Sequence, residues 1–140
     1  MILYLDTSSI VKLYIEEEGT EAVRRWAEEA EVLATCRVAC PEFISALTRR
    51  FKVGDLSKKE FRALVDGFLK EWSEFAVIDF DELEAARLAE KHGLRGFDAI
   101  HLSALKLLKK RDNNISVAFS SFDKELNRAA ASEGFTVLTT

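Results

Sequence analysis

The feature that most constrains this chain is its alternation of short apolar runs with longer segments of helical periodicity. Five runs stand out, at 1–5, 32–35, 75–80, 115–120 and 135–138. Each is too short for a helix and long enough for a strand. Between them the apolar residues recur at helical spacing. Phe61, Leu64, Val65, Phe68, Leu69 and Trp72 follow the i, i+3, i+4, i+7 pattern behind a Ser57-Lys-Lys-Glu60 capping box. Short strands separated by helices predict a parallel sheet buried on both faces, because a parallel crossover lays its helix over the sheet.

The remaining helices are marked by their ends. Thr7 and Ser8 are N-cap candidates for a helix through Ile10, Val11, Leu13 and Tyr14. A second helix carries Ala22, Val23, Trp26, Ala27 and Ala30. Pro41 suits the first turn of a third, which runs through Ile44, Leu47 and Phe51 and stops at Gly54. Asp81-x-x-Glu84 caps a helix that ends at His92-Gly93. Gly96 opens another with Phe97, Ile100, Ala104, Leu107 and Leu108 inward, and 123–133 forms the last.

At 140 residues, 48% hydrophobic and 31% charged, the chain has material for one compact core, so a single domain over 1–140 is expected. Its formal charge of −4 removes any global field that would hold nucleic acid or an anionic membrane. No apolar run approaches the ~18 residues of a membrane span. The start meets Asp6 before a signal-like segment can form, which makes a cytoplasmic location the expectation. Cys36 and Cys40 lie four residues apart, on one helix face or across a strand-to-helix junction, with no partners at zinc spacing.

In an open parallel sheet, ligands bind beyond the carboxyl ends of the strands. There the first run delivers Asp6 and the fourth delivers Ser120-Ser121-Phe122-Asp123, while Glu42 and Asp98 occupy first turns of helices. Singly, each acid is explained as a helix-terminal residue, and Ser120-x-x-Asp123 reads as a capping box. Together they are harder to dismiss. Two carboxylates about 4 Å apart repel by roughly 4 kcal/mol at intermediate dielectric, so a cluster calls for a proton or a cation. Oxygen-only ligands favour Mg²⁺ or Mn²⁺ over zinc.

Four segments carry a family resemblance: Leu5-Asp6-Thr7-Ser8-Ser9-Ile10-Val11, Pro41-Glu42-Phe43-Ile44-Ser45-Ala46-Leu47, Gly96-Phe97-Asp98-Ala99-Ile100-His101-Leu102, and Ser120-Ser121-Phe122-Asp123-Lys124. In order and spacing they resemble the motif blocks of PIN domains, in particular those of VapC-type ribonuclease toxins. Ser121 stands where many members carry Thr, an exchange that keeps the hydroxyl. The resemblance implies a three-layer α/β/α fold with a mainly parallel sheet and an acidic pocket for Mg²⁺ or Mn²⁺. It makes Asp6, Glu42, Asp98 and Asp123 the pocket carboxylates, with Ser8 and Ser121 as supporting hydroxyls. Asp6 and Asp98 would be direct ligands, and Glu42 and Asp123 would act through water or complete a second metal position. Metal-assisted hydrolysis of RNA, a VapB-type antitoxin partner and a homodimer follow from the same resemblance.

Two other functions compete. A PIN-like module kept only for protein or RNA binding would be marked by loss of pocket carboxylates, and all four are present. A phosphoryl-transfer domain with an aspartate nucleophile needs a second acid near Asp6, where Ser8 stands, or an acceptor after the third strand, where Asp79 is the candidate. His101 is expected to be a packed or capping histidine rather than a ligand or base. His92 reads as a helix C-terminal residue. Lys12, Arg49, Arg50, Lys52 and the Lys106–Arg111 stretch are either solvated faces or contacts to RNA phosphates.

Overall fold

The computed structural model describes Met1–Thr140. Strands β1 (Ile2–Leu5), β2 (Val32–Cys36), β3 (Ala76–Ile78), β4 (Val117–Ser120) and β5 (Thr136–Leu138) form one sheet. Its order is β3-β2-β1-β4-β5, and every pairing is parallel. The helices are α1 (Thr7–Tyr14), α2 (Thr20–Glu29), α3 (Ala39–Lys52), α4 (Lys58–Glu71), α5 (Glu82–His92), α6 (Gly96–Arg111) and α7 (Lys124–Ser132). The chain builds outward from β1 to β3, then returns to the other side of β1 for β4 and β5. A switch point therefore opens between the carboxyl ends of β1 and β4, the position where open α/β sheets bind ligands.

Strand pleating separates two cores. Leu3, Leu5 and Ala118 face one side and pack with Ile10, Val23, Phe43, Leu47 and Phe68 from α1 to α4. Tyr4, Ala34 and Phe119 face the other and pack with Leu88, Leu102, Leu105 and Leu126 from α5 to α7. The three-layer α/β/α expectation is met. On the α1–α4 side the Phe43 and Phe68 rings stack with centroids 4.0 Å apart, and Phe43→Ala there should cost about 3–5 kcal/mol.

Several local readings hold and several shift. The Ser57 box forms in both directions, and Gly54 and Gly93 follow their helices with φ of 87° and 66°, a conformation that favours glycine. Cys36 ends β2 and Cys40 sits in α3, so they straddle a strand-to-helix junction as free thiols. The cap of α1 is Asp6 rather than Thr7 or Ser8: its Oδ1 accepts from the Ser9 N–H at 3.0 Å, and Thr7 is already helical. Ser120 caps nothing, since its hydroxyl pairs with Ser9 at 2.8 Å, and Asp123 is itself the cap of α7. The Asp81 box is one-sided, because Glu84 turns to Arg87 and Lys106. Phe97, expected inward, is 57% exposed. The buried arc of α6 runs through Ala99, His101, Leu102, Ala104, Leu105 and Leu108, which turns Phe97 away from the sheet.

Candidate active site

Register places the site. Leu5 on β1 pairs with Ser120 on β4, so Asp6 and Ser121 leave the sheet side by side, with the Asp6 N–H still donating to the Ser120 carbonyl. Asp6 is buried, and neutral donors occupy both its oxygens. Ser8 Oγ donates to Oδ1 at 2.6 Å and Ser121 Oγ donates to Oδ2 at 2.6 Å. Each hydroxyl also accepts from the β4–α7 loop, Ser8 from the Phe122 N–H and Ser121 from the Asp123 N–H, both at 3.0 Å. The two serines thus lock the β1–α1 and β4–α7 connections around one carboxylate.

Three more acids reach the same cleft from helix starts. Glu42, in the first turn of α3, accepts on Oε1 from Thr7 Oγ1 at 2.7 Å and from His101 Nε2 at 2.8 Å. Burial works to raise its pKa, but its interactions with His101 first, then with Thr7 and Arg49, outweigh it and hold the carboxyl below its ordinary value. Asp98, in the first turn of α6, behaves oppositely. Burial raises it first and the charge of Asp123 next, with Asp6 adding to both, against a single opposing cation at Arg95. Asp123 caps α7 through Oδ1, and its Oδ2 accepts from Arg95 Nη2 at 2.9 Å.

The cleft, about 790 Å³, is lined by Asp6, Ser8, Glu42, Asp98 and Asp123 together with Thr7, Arg49, Arg95 and His101. All four acids singled out from the sequence therefore share one cavity. They do not converge on a single point, and no three His, Cys, Asp or Glu side chains form a closed ligand group. Arg95 spans Asp98 and Asp123, while Thr7 and His101 hold Glu42 to one wall. Ser121 lies behind Asp6 rather than on the cavity surface.

Sequence reasoning missed Thr7, Arg95 and Tyr4. Tyr4 is fully buried on β1, and its hydroxyl lies 2.9 Å from His101 Nδ1. The helical spacing of Arg95 and His101 about Asp98 was a usable signal; the partnership of Tyr4 with a residue 97 positions away was not. Among the basic candidates, Arg49 lines the cleft, where Arg95, not one of them, joins it. Lys12 and Arg50 are instead tied to Glu17, and Lys106 to Glu84 and Glu133. Asp79 lies exposed outside the cleft, paired with Arg37 at 2.6 Å, and is no phosphoacceptor of a buried site.

The donor chemistry fits a hard divalent cation. The acids lining the cleft offer carboxylate oxygens, Asp6 touches no cation, and burial first and the charges of Asp123 and Asp6 next push Asp98 up.

Fold and cleft together define a parallel α/β protein with an acid-lined site at its switch point. A family model described as the PIN domain matches residues 3–132, and the chain belongs to that family. It is 28% identical over 136 residues to Ribonuclease VapC45 of Mycobacterium tuberculosis, covering 95% of this chain and 92% of that one. PAE2754 of Pyrobaculum aerophilum superposes with a TM-score of 0.69 at 20% identity, covering 98% of this chain and 83% of that one. A second solved structure, VapBC2 of Rickettsia felis bound to a promoter DNA fragment, gives a TM-score of 0.63 at 17% identity over 99% of this chain and 98% of that one. No helix is long and apolar enough to cross a membrane.

Proposed function

We propose that this protein is a metal-dependent endoribonuclease, hydrolysing RNA phosphodiester bonds with Mg²⁺ or Mn²⁺ held among Asp6, Glu42, Asp98 and Asp123. On this reading residues 1–140 form one PIN domain, the toxin of a toxin–antitoxin pair. It acts in the cytoplasm as a homodimer held in check by a VapB-type antitoxin. The observation that carries the reading is the surplus of carboxylate at the switch point, where Asp98 is pushed up by burial and by Asp123 and Asp6. The relative named as a ribonuclease and the solved VapBC assembly support the substrate and partner classes.

Asp6 and Asp98 are the direct ligands in this scheme, and Glu42 and Asp123 act through water or complete a second position with substrate. When bound, the ion lowers the pKa of a water and offsets the charge that develops on the phosphate. Ser8 and Ser121 keep Asp6 oriented by donating to both its oxygens. Glu42, which lines the cleft, spends Oε1 on Thr7 and His101 and keeps Oε2 free to accept a hydrogen bond from the attacking water. Arg49 and Arg95 supply the local positive charge that a protein of net charge −4 lacks overall. No residue forms a covalent link to RNA.

The test is cleavage of a mixed RNA substrate with Mn²⁺, with Mg²⁺ and with EDTA, comparing wild type with Asp6→Asn. Cleavage that survives EDTA or the substitution sinks the proposed site. RNA bound but left intact with either ion marks a binding module instead.

A further inference from the structure

Beneath the cleft lies a buried chain of polar groups that the scheme above leaves without a role. His101 is 2% exposed on α6, wedged between the core and the site. Its Nδ1 is 2.9 Å from the Tyr4 hydroxyl, and its Nε2 is 2.8 Å from Glu42 Oε1 and 3.3 Å from Thr7 Oγ1. The hydrogen-bond inventory sets the direction of this chain. The Tyr4 phenol is wholly buried and carries an O–H proton. That proton needs an acceptor, and the Nδ1 lone pair is the side-chain acceptor at bonding distance. With Nδ1 accepting, the ring proton sits on Nε2 and points to Glu42. Glu42 Oε1 then receives two donors from below, the Thr7 hydroxyl and the His101 N–H, which fixes the carboxylate plane.

We infer that Tyr4 and His101 form a positioning relay for Glu42, in which His101, accepting from Tyr4 on Nδ1 and carrying a proton on Nε2, clamps Oε1 and leaves Oε2 free at the cleft that Glu42 lines. The inference rests on the nuclease reading for its consequence in catalysis, and on geometry alone for the tautomer and the clamp. His101 touches no reacting atom in this account; it acts through Glu42. Partners of this kind, one step behind a working carboxylate or imidazole, typically control activity or metal affinity by roughly 10–100-fold when removed.

The experiment combines ring-nitrogen NMR with two substitutions in the full-length protein. In wild type, long-range ¹H–¹⁵N spectra should place the His101 proton on Nε2, and Tyr4→Phe should remove that preference. His101→Gln keeps an N–H donor, whereas His101→Leu fills the space without one. The Glu42 side-chain carboxyl ¹³C signal should move in His101→Leu and stay near its wild-type position in His101→Gln. Among molecules shown folded by thermal melting, His101→Leu should lower kcat on RNA roughly 10–100-fold with KM within about twofold, and His101→Gln should recover most of the loss. A proton found on Nδ1, a doubly protonated ring, or an unmoved Glu42 signal in His101→Leu overturns the relay. Equal kcat in the two variants overturns its role in catalysis. A wild-type protein that cuts no RNA overturns the nuclease reading instead, and the two NMR measurements still decide the relay.

Discussion

Helix α6 serves two carboxylate clusters of opposite character. Near its middle, Lys106 reaches Glu133 at 2.8 Å and Glu84 at 2.9 Å, and Glu133 also accepts from Lys91 at 2.7 Å and His92 at 2.8 Å. The Glu133 side chain is only 8% exposed, yet Lys106 first and Lys91 next hold its pKa down to about 2. At the N-terminus of the same helix, Asp98 is 17% exposed, has Arg95 alone at 3.2 Å, and is pushed up. Both acids are sheltered from water, so burial does not distinguish the two clusters. The supply of counter-charge does: Glu133 has cations in excess, and the cleft has carboxylates in excess.

The sharpest way to break this comparison is to neutralise one acid from each cluster. Asp98→Asn should lower RNA cleavage by about 10³-fold or more while leaving the thermal midpoint unchanged or raised, because the lost charge was repelled by Asp123 and Asp6. A midpoint that drops sharply would mean Asp98 is structural. Glu133→Gln should do the reverse, costing about 3 kcal/mol in urea unfolding with the specific activity of the folded protein intact.

A pH series sharpens the same contrast. The folded Glu133 carboxyl lies near 2 against an ordinary 4.5, so its stabilisation is fully present above the unfolded value and is lost as pH falls from about 4.5 toward 2. Wild type should therefore lose stability through that window more steeply than Glu133→Gln, as followed by urea midpoints. Asp98 has the opposite sign: its raised pKa makes the ionised form oppose folding, and that opposition lifts as pH falls through the folded value.

Cation binding should respect the division too. Mn²⁺ at about 100 times its Kd should stabilise wild type and Glu133→Gln by about 2.7 kcal/mol and leave Asp98→Asn unmoved in thermal melts. The smallest effect concerns Arg95, which is 80% exposed where it spans Asp98 and Asp123. Arg95→Ala should change stability by less than about 1 kcal/mol and tighten Mn²⁺ binding by a few-fold at most, measured by calorimetric titration. Weaker binding would show that Arg95 supports the cation site instead of competing with it.

Much of this was legible in the residue order. The strands at β1 and β4, the Ser57 box and the acids at helix starts each carry a local signature, so Asp6, Glu42, Asp98 and Asp123 could be named before the fold was known. Phe97 was misplaced because helical periodicity gives the width of a buried face better than its phase, and the sheet beneath α6 sets the phase. The capping of α1 went to Asp6 while the Ser8 hydroxyl paired with Asp6 itself and with Phe122, and the Thr7 hydroxyl with Glu42.

Residue order by itself determined the alternation of strand and helix, the residue types delivered to the carboxyl ends of the strands, and the oxygen-only character of the candidate site. Those follow from propensities and spacings within a turn or two of helix, which any chain segment carries with it. Only the tertiary structure decided that β4 pairs with β1, that Arg95 separates two of the acids, and that Tyr4 reaches Glu42 through His101. Each of these joins residues brought together by the packing of α6 and the sheet. Whether a buried polar group is satisfied, strained or poised depends on which partners arrive there, and that is a property of the assembled core.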